Sequence, residues 1–478
     1  MDKAQGKVCI GRPGGQSRMM QSVQPPAALA LPICDAEATP EAAASSASWR
    51  RRAAAQLAVA MPELGWSVCE PLFMPLMLSL KVPARFLTIC WLCSPVAGLF
   101  LHPCVGNLSD RYGRRPFVMA FGVLGAIGLV ATPLIAATSR SACNQGGGPC
   151  KAAPNEVGVV LTLLAFGVTD VSHDVLMTPT RAAMNDVFDA EGAERRTALA
   201  SGTGKLFALL CATFLDTSTA FFVVAAVIAS ATVTQLAVPC DTRVVVARAA
   251  QAAIEIPDAT VGVAGSNALR AQVHVPSGFW LMWTLQLSSW LSICTFSFYF
   301  TSVWAEHVNA GPPGSPGFDS AVRVATGLLV VSTAFFLLAG AALPAIVSAC
   351  RGEENATIVS LLVLALVLLA FSLAPLQVAA VGVVALVPVA YQVIGNAPFA
   401  WLERCPGFDE RRRGRLTGWL NSSLAVSQAL VALLGGPVVE AAGGRLTTAY
   451  EAVAAVDIAV VAGALLCKVR RQINEVPC

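Results

Sequence analysis

The sequence predicts an all-α membrane protein of twelve spanning helices, arranged as two six-helix bundles. Three observations predict it. Apolar residues make up 55% of the chain, charged residues 13%, and mean hydropathy is +0.65. Soluble domains carry about 25% charged residues, so this chain lacks the charge to cover a water-facing surface. A membrane span needs about 20 mostly apolar residues, and twelve runs qualify: 56–80, 86–106, 116–137, 157–180, 197–214, 219–237, 278–301, 321–347, 356–376, 378–402, 416–440 and 448–468. A polar, mixed stretch at 238–277 (PCDTRVVVARAAQAAIEIPD within it) parts the sixth run from the seventh.

Taken in order, residues 1–52 read as a disordered cytosolic tail. They are rich in Ala, Ser, Gly and Pro, hold no run long enough to span, and show no signal-peptide core. Asp2, Asp35, Glu37 and Glu41 speak against a transit peptide. Residues 53–237 form the first bundle, 238–277 a cytosolic linker, 278–470 the second bundle and 471–478 a cytosolic C-terminal tail. Short-loop Lys and Arg set orientation. Arg50–Arg52, Arg111, Arg114, Arg115, Arg195, Arg196, Arg351, Arg404, Arg411–Arg413, Arg415, Lys468, Arg470 and Arg471 fall on the side of the termini. Only Lys81, Arg85, Arg140, Lys151 and Arg445 fall opposite. Both termini are therefore expected in the cytosol.

Several function classes drop out. The net charge of +3 is too small to suggest a nucleic-acid partner, and no aromatic residues interleave a basic patch. Seven of the fifteen cysteines sit in the apolar runs, where a thiol is a small hydrophobe. No CxxC meets a second CxxC or histidines, so no metal site is expected. Cys143 and Cys150 bracket a Gly-rich loop on the outer side and are a disulfide candidate. No nucleophile–base pairing appears, so the chain is not expected to be an enzyme, and no cofactor is expected. The expected partners are the lipid bilayer and a small solute, with the chain acting as a monomer.

The polar residues inside the runs carry the chemistry. A charge near the bilayer centre costs at least ~2.5 kcal/mol and must face a cavity or a partner. The fourth run contains TDVSHDVLMTPTR, residues 169–181. Asp170 and Asp174 are one turn apart and share a face. Arg181 lies on nearly that face but about 16 Å along the axis, too far for contact in a straight helix. Glu63 and Glu70 share a face of the first run, and Lys205 sits about two turns into the fifth. Carboxyls held out of water can load and release a proton. The plainer alternatives stay open. Asp170 or Glu63 could form a fixed ion pair with Lys205, and His173 and Asp174 could be solvated groups. Arg181 could only anchor its helix, and Trp66 and Trp290 could be packing residues.

Residues 106–116 read GNLSDRYGRRP, between the second and third runs. This motif resembles the loop signature of the major facilitator superfamily, which implies that fold. In this reading Gly106 lets helices approach closely. Asp110 latches one conformation across the cytosolic seam. Arg111, Arg114 and Arg115 bind across that seam or to anionic headgroups; together the five form a gate.

Further stretches resemble one branch, the glycoside–cation symporters, comprising the sucrose–proton symporters and solute carrier family 45. They are GWSVCEPLFMPLML (65–78), the run from VPARFLTICWLCSP to GNLSD (82–110), TDVSHDVLMTPTRAAMND (169–186), LSSWLSICTFSFYFTS (287–302), NAPFAW (396–401) and TGWLNSSLAVSQALVALLGGPVVEAAGG (417–444). The resemblance implies that Asp170 carries the coupled proton and that Arg181 pairs with an acid or with sugar. It places Asp174 and Glu63 where the solute carrier branch also has acids, making them proton-coupling candidates. Departures are Ser302 in place of an acid, Glu306–His307 for Arg–Glu, Ala84 for a histidine, and Lys205 for an asparagine. Candidate sugar-binding groups are Arg181, Lys205, Trp66, His173, Asn421 and Gln428, with His102 and Trp290 beside them.

The expected function is proton-coupled symport of sucrose or another glucoside by alternating access. In the expected cycle Asp170 takes a proton, sugar binds, the bundles close over it, and Lys205 or Arg181 restores the charged acid on release. The alternatives are a carrier of another small organic solute or anion, or a low-flux sensor or organellar pH-setting relative. The expected location is the plasma membrane or a vacuolar or organellar membrane.

Overall fold

The structure is a computed structural model that describes residues 40–144, 156–188, 190–237, 275–373, 376–405 and 413–474. The chain divides into residues 1–45 and 46–478, and the architecture below is that of the second unit. Among the described residues there are twelve α-helices and no strand. They are α1 (Pro40–Ser79), α2 (Cys93–Tyr112), α3 (Arg115–Asn144), α4 (Glu156–Val187), α5 (Ala190–Phe214), α6 (Thr217–Thr234), α7 (Phe279–His307), α8 (Pro316–Ala349), α9 (Glu353–Leu373), α10 (Leu376–Arg404), α11 (Arg413–Ala441) and α12 (Thr448–Asn474).

Each helix lies on one of the twelve apolar runs, and the differences have local causes. The second run was expected to be helical from residue 86, but residues 84–86 and 89–92 form two 3-10 turns and α2 starts at Cys93. Pro95 then falls in the first turn of α2, where its missing N–H costs no helix bond. Asp216 caps α6 by accepting from the Thr219 N–H at 3.1 Å. The Thr219 bonds hold this loop carboxyl below the usual range. The 1–39 stretch, most of the 238–277 linker and the Cys143–Cys150 pairing lie outside the described residues or side chains.

In the first half α3 packs on α4 and α6, and α2 on α4. In the second, α9 packs on α10 and α12, and α11 on α7. The halves join through α5 against α8, and through α11 against α2 and the 84–92 segment. Ten of these segments are long and apolar enough to cross a membrane, and the chain is a multi-pass integral membrane protein. The two helices that miss the apolar test are α1 and α7, the first of each half. Both are buried along much of their length, so protein rather than lipid surrounds them.

Candidate functional site

The two halves meet at the end away from the termini. Thr88 donates to the Ala432 carbonyl at 3.0 Å and accepts from the Gly436 N–H at 3.2 Å. Thr301 of α7 donates to the Pro71 carbonyl of α1 at 2.7 Å. Trp91 stacks on Phe298 with ring centroids 4.3 Å apart. Arg85 pairs loosely with Glu440 at 3.9 Å. At the end that carries the termini, ion pairs form within each half. Arg114 reaches Asp186 at 3.5 Å and Lys468 reaches Glu354 at 3.6 Å, while Arg404 pairs with Glu353. Among the described residues α4 and α10 do not pack on each other. Among the described residues the halves are thus joined by hydrogen bonds and ring stacking at the far end and by the packing of α5 on α8.

Beneath the far-end contacts lies Asp170, 1% exposed. Its Oδ2 accepts from the Ser94 backbone N–H at 3.2 Å. Ser94 is the second residue of α2, whose first N–H groups have no partner within the helix. The carboxylate thus caps a helix start, where negative charge is favoured. The Trp66 indole N–H lies near the same carboxyl without closing a hydrogen bond. One turn on, Asp174 Oδ2 meets His102 Nε2 at 2.9 Å, and His102 Nδ1 meets Thr178 Oγ1 at 2.5 Å.

A second cluster sits between the halves. Glu63 feels the charges of Lys205, Glu70 and Arg181, and Lys205 Nζ lies 5.6 Å from the centre of the Tyr391 ring across the interface. Tyr391 in turn packs edge-on to Trp290 at 5.4 Å. Glu63, Lys205, Tyr391 and Trp290 are half-buried and Arg181 is exposed. This arrangement sets charged groups of the first half against aromatic surface of the second.

Three expectations change. The sequence leaves open an ion pair of Lys205 with Asp170 or with Glu63; among the described residues neither closes, Lys205 standing by Tyr391 and within reach of the Glu63 charge while Asp170 turns toward α2. His173 was a solute-binding candidate, but it is fully buried with neither ring nitrogen partnered. A Cβ on Gly65 of α1 would fall 2.1 Å from the His173 ring, and one on Gly125 of α3 2.8 Å from it. The ring is a wedge between three helices. Gly65→Ala is expected to destabilise the fold by on the order of 2–3 kcal/mol through overpacking. His173→Ala should rescue it in the double variant; a detergent melting series checks both. Third, Gly106 is not squeezed: a Cβ there would meet only the Thr178 methyl at 3.7 Å, ordinary contact.

The rest of the loop signature is partly visible. Arg114 donates to the Ser109 hydroxyl at 2.7 Å and Arg115 to the Leu236 carbonyl at 3.0 Å, both inside the first half. The Asp110 and Arg111 side chains lie outside the described set. Asn421 is exposed and Gln428 half-buried on one face of α11.

Solved structures share this architecture. The nucleoside transporter NupG matches with a TM-score of 0.60 at 14% identity, over 88% of this chain and 98% of that one. The inward-open xylose transporter XylE from E. coli matches with a TM-score of 0.57 at 14% identity, over 88% and 95%. The chain has the major facilitator fold. Among curated proteins, sucrose transport protein SUC4 of Arabidopsis thaliana is 33% identical over 150 residues, 30% of this chain and 28% of that protein. Solute carrier family 45 member 4 of Mus musculus is 34% identical over 134 residues, 27% of this chain and 16% of that protein. The chain is thus similar to sucrose transporters and to solute carrier family 45, over less than a third of its own length and of theirs. No family model matches.

Within this major facilitator fold, sequence reasoning missed two groups. Tyr391, one of four tyrosines, gave no signal because its partner Lys205 lies in the other half. Asp457 of α12 is fully buried and accepts from the Ser288 and Ser292 hydroxyls of α7, both at 2.5 Å. Its signal was present in the sequence. It is an acid inside an apolar run, facing two serines one helical turn apart. It ties α12 to α7, the helix that carries Trp290.

Proposed function

We propose that the chain is a proton-coupled symporter of a neutral sugar, sucrose or another glucoside, working by alternating access. The observation that carries this is the buried Asp170 capping α2 directly below the 84–92 segment that closes the far end. The sugar is held between the halves by Trp290 and Tyr391, with Glu63, Lys205 and Arg181 supplying hydrogen-bonding groups. Protonation of Asp170 removes the charge that holds the α2 start. The 84–92 segment is then freer to move against α11, and the loaded halves can rock past each other. Loss of the proton at the terminal end, after the sugar leaves, restores the cap.

The arginine bias between the two ends supports cytosolic termini. In that orientation the present conformation faces the cytosol. The sucrose-transporter relatives support the sugar class. The test is uptake of a panel of labelled sugars and carboxylates into proteoliposomes, with and without an inward proton gradient. Gradient-driven accumulation of sucrose or another glucoside is expected. Accumulation of carboxylates with no sugar uptake would sink the proposal and favour an anion carrier gripped by Arg181 and Lys205.

A further inference from the structure

Helices α2 and α4 run side by side toward the terminal end, and their facing residues pair in register. Ser94, Gly98, His102 and Gly106 recur at every fourth position of α2, as do Asp170, Asp174 and Thr178 on α4. Ser94 meets Asp170. A Cβ at Gly98 would fall 2.7 Å from Asp174 Oδ2, so the missing side chain lets that carboxyl lie against α2. His102 bridges Asp174 and Thr178, and Gly106 faces Thr178. Exposure rises along the seam: Asp170 is sealed, the Asp174 side chain is 17% exposed and that of His102 32%. At the sealed end Asp170 Oδ1 and Ser94 Oγ have no protein partner, which makes both available to a bridging water.

The other groups around the seam leave it unobstructed. The Cys90 thiol donates to the Leu87 carbonyl at 3.5 Å, the Cys93 sulfur lies against Gly167, and His173 turns away into its glycine slot. Glu70 is felt at Cys69 rather than at Asp170. Among the described residues no Lys or Arg forms an ion pair with Asp170 or Asp174.

We propose that this seam is a proton-release path, in which His102 relays the proton from the α4 carboxyls to water at the terminal end. The proposal rests on the reading that Asp170 carries the coupled proton. The proton leaves an Asp170 oxygen through water for Asp174, and Asp170 becomes a carboxylate. Asp174 then passes a proton from Oδ2 to Nε2 of a neutral His102, leaving its own carboxylate and an imidazolium. The exposed ring gives one proton to water and returns to neutral. One proton enters and one leaves.

The experiment compares wild type, Asp170→Asn, His102→Ala and His102→Gln in proteoliposomes with labelled sucrose. Exchange of sucrose at equal pH needs no net proton release, whereas proton-driven uptake does. For both His102 variants, exchange is expected to persist while proton-driven uptake falls on the order of a hundredfold, the usual worth of a positioned proton-transfer group. Imidazole in the medium should restore uptake in His102→Ala. A parallel loss of exchange and uptake, unchanged uptake, or no rescue by imidazole overturns the relay. If wild type shows no proton-driven uptake, or Asp170→Asn keeps it, the coupling reading falls and takes the relay with it.

Discussion

Asp170→Asn is expected to abolish sugar accumulation against a gradient while downhill sugar flux remains measurable. The substitution keeps the size of the side chain and an oxygen that can accept from the Ser94 N–H, now 3.2 Å from Oδ2. It removes the charge and the proton. The charge–helix interaction it deletes is worth about 1–2 kcal/mol in a buried setting, enough to shift a two-state equilibrium roughly tenfold. The permanent neutral form mimics protonated Asp170, so the conformations should interconvert without a proton. Uptake of labelled sucrose in proteoliposomes, with and without a proton gradient, separates the outcomes. Intact gradient-driven accumulation would falsify the coupling role.

Gly436→Ala is expected to unseat the far-end closure. A Cβ there would lie 2.5 Å from the Arg85 carbonyl oxygen and 2.6 Å from that of Ala84. Both are backbone atoms of a 3-10 turn and cannot swing aside as a side chain would. The same position supplies the N–H that Thr88 accepts. Overpacking of this kind costs about 1–3 kcal/mol, a population shift of roughly fivefold to more than a hundredfold. Because the clash exists only where α11 and the 84–92 segment touch, the cost falls on one conformation. Hydrogen–deuterium exchange over residues 84–92 and 432–440 reads it directly. Protection there should drop while protection in α3 and α9 stays the same; unchanged protection at both segments would rule the idea out.

The helices were legible because lipid imposes a length and a polarity that a run of residues shows by itself. The loop signature marked the fold for the same reason: its spacing is local. Asp170 stood out as an acid in an apolar run, but its partner, the start of α2, did not. A backbone N–H carries no sequence mark, and the start of α2 was masked by an apolar run that continues back through residue 86. His173 was misread because a buried imidazole and a solute-facing one look alike in sequence. The matching signal lay in Gly65 and Gly125, on two other helices. Lys205 and Tyr391 lie 186 positions apart in opposite halves, and no periodicity connects them. Asp457 was overlooked although its own pattern, with Ser288 and Ser292, was readable.

The polar residues set along α1 and α7 bear on how the protein is made. Insertion of a nascent helix is decided largely by its own side chains, and each charged group near the middle weighs against it by about 2.5–3.5 kcal/mol. Glu63 and Glu70 in α1, and the serines, Gln286 and tryptophans of α7, make these two poor candidates to enter lipid alone. Each opens its half of the chain and so emerges from the ribosome before the helices that later enclose it. Biogenesis of each half therefore depends on an early helix being retained at the membrane until its neighbours arrive. The serines and Gln286 that α7 buries against its neighbours in the folded protein have no such partners when the helix first meets the bilayer.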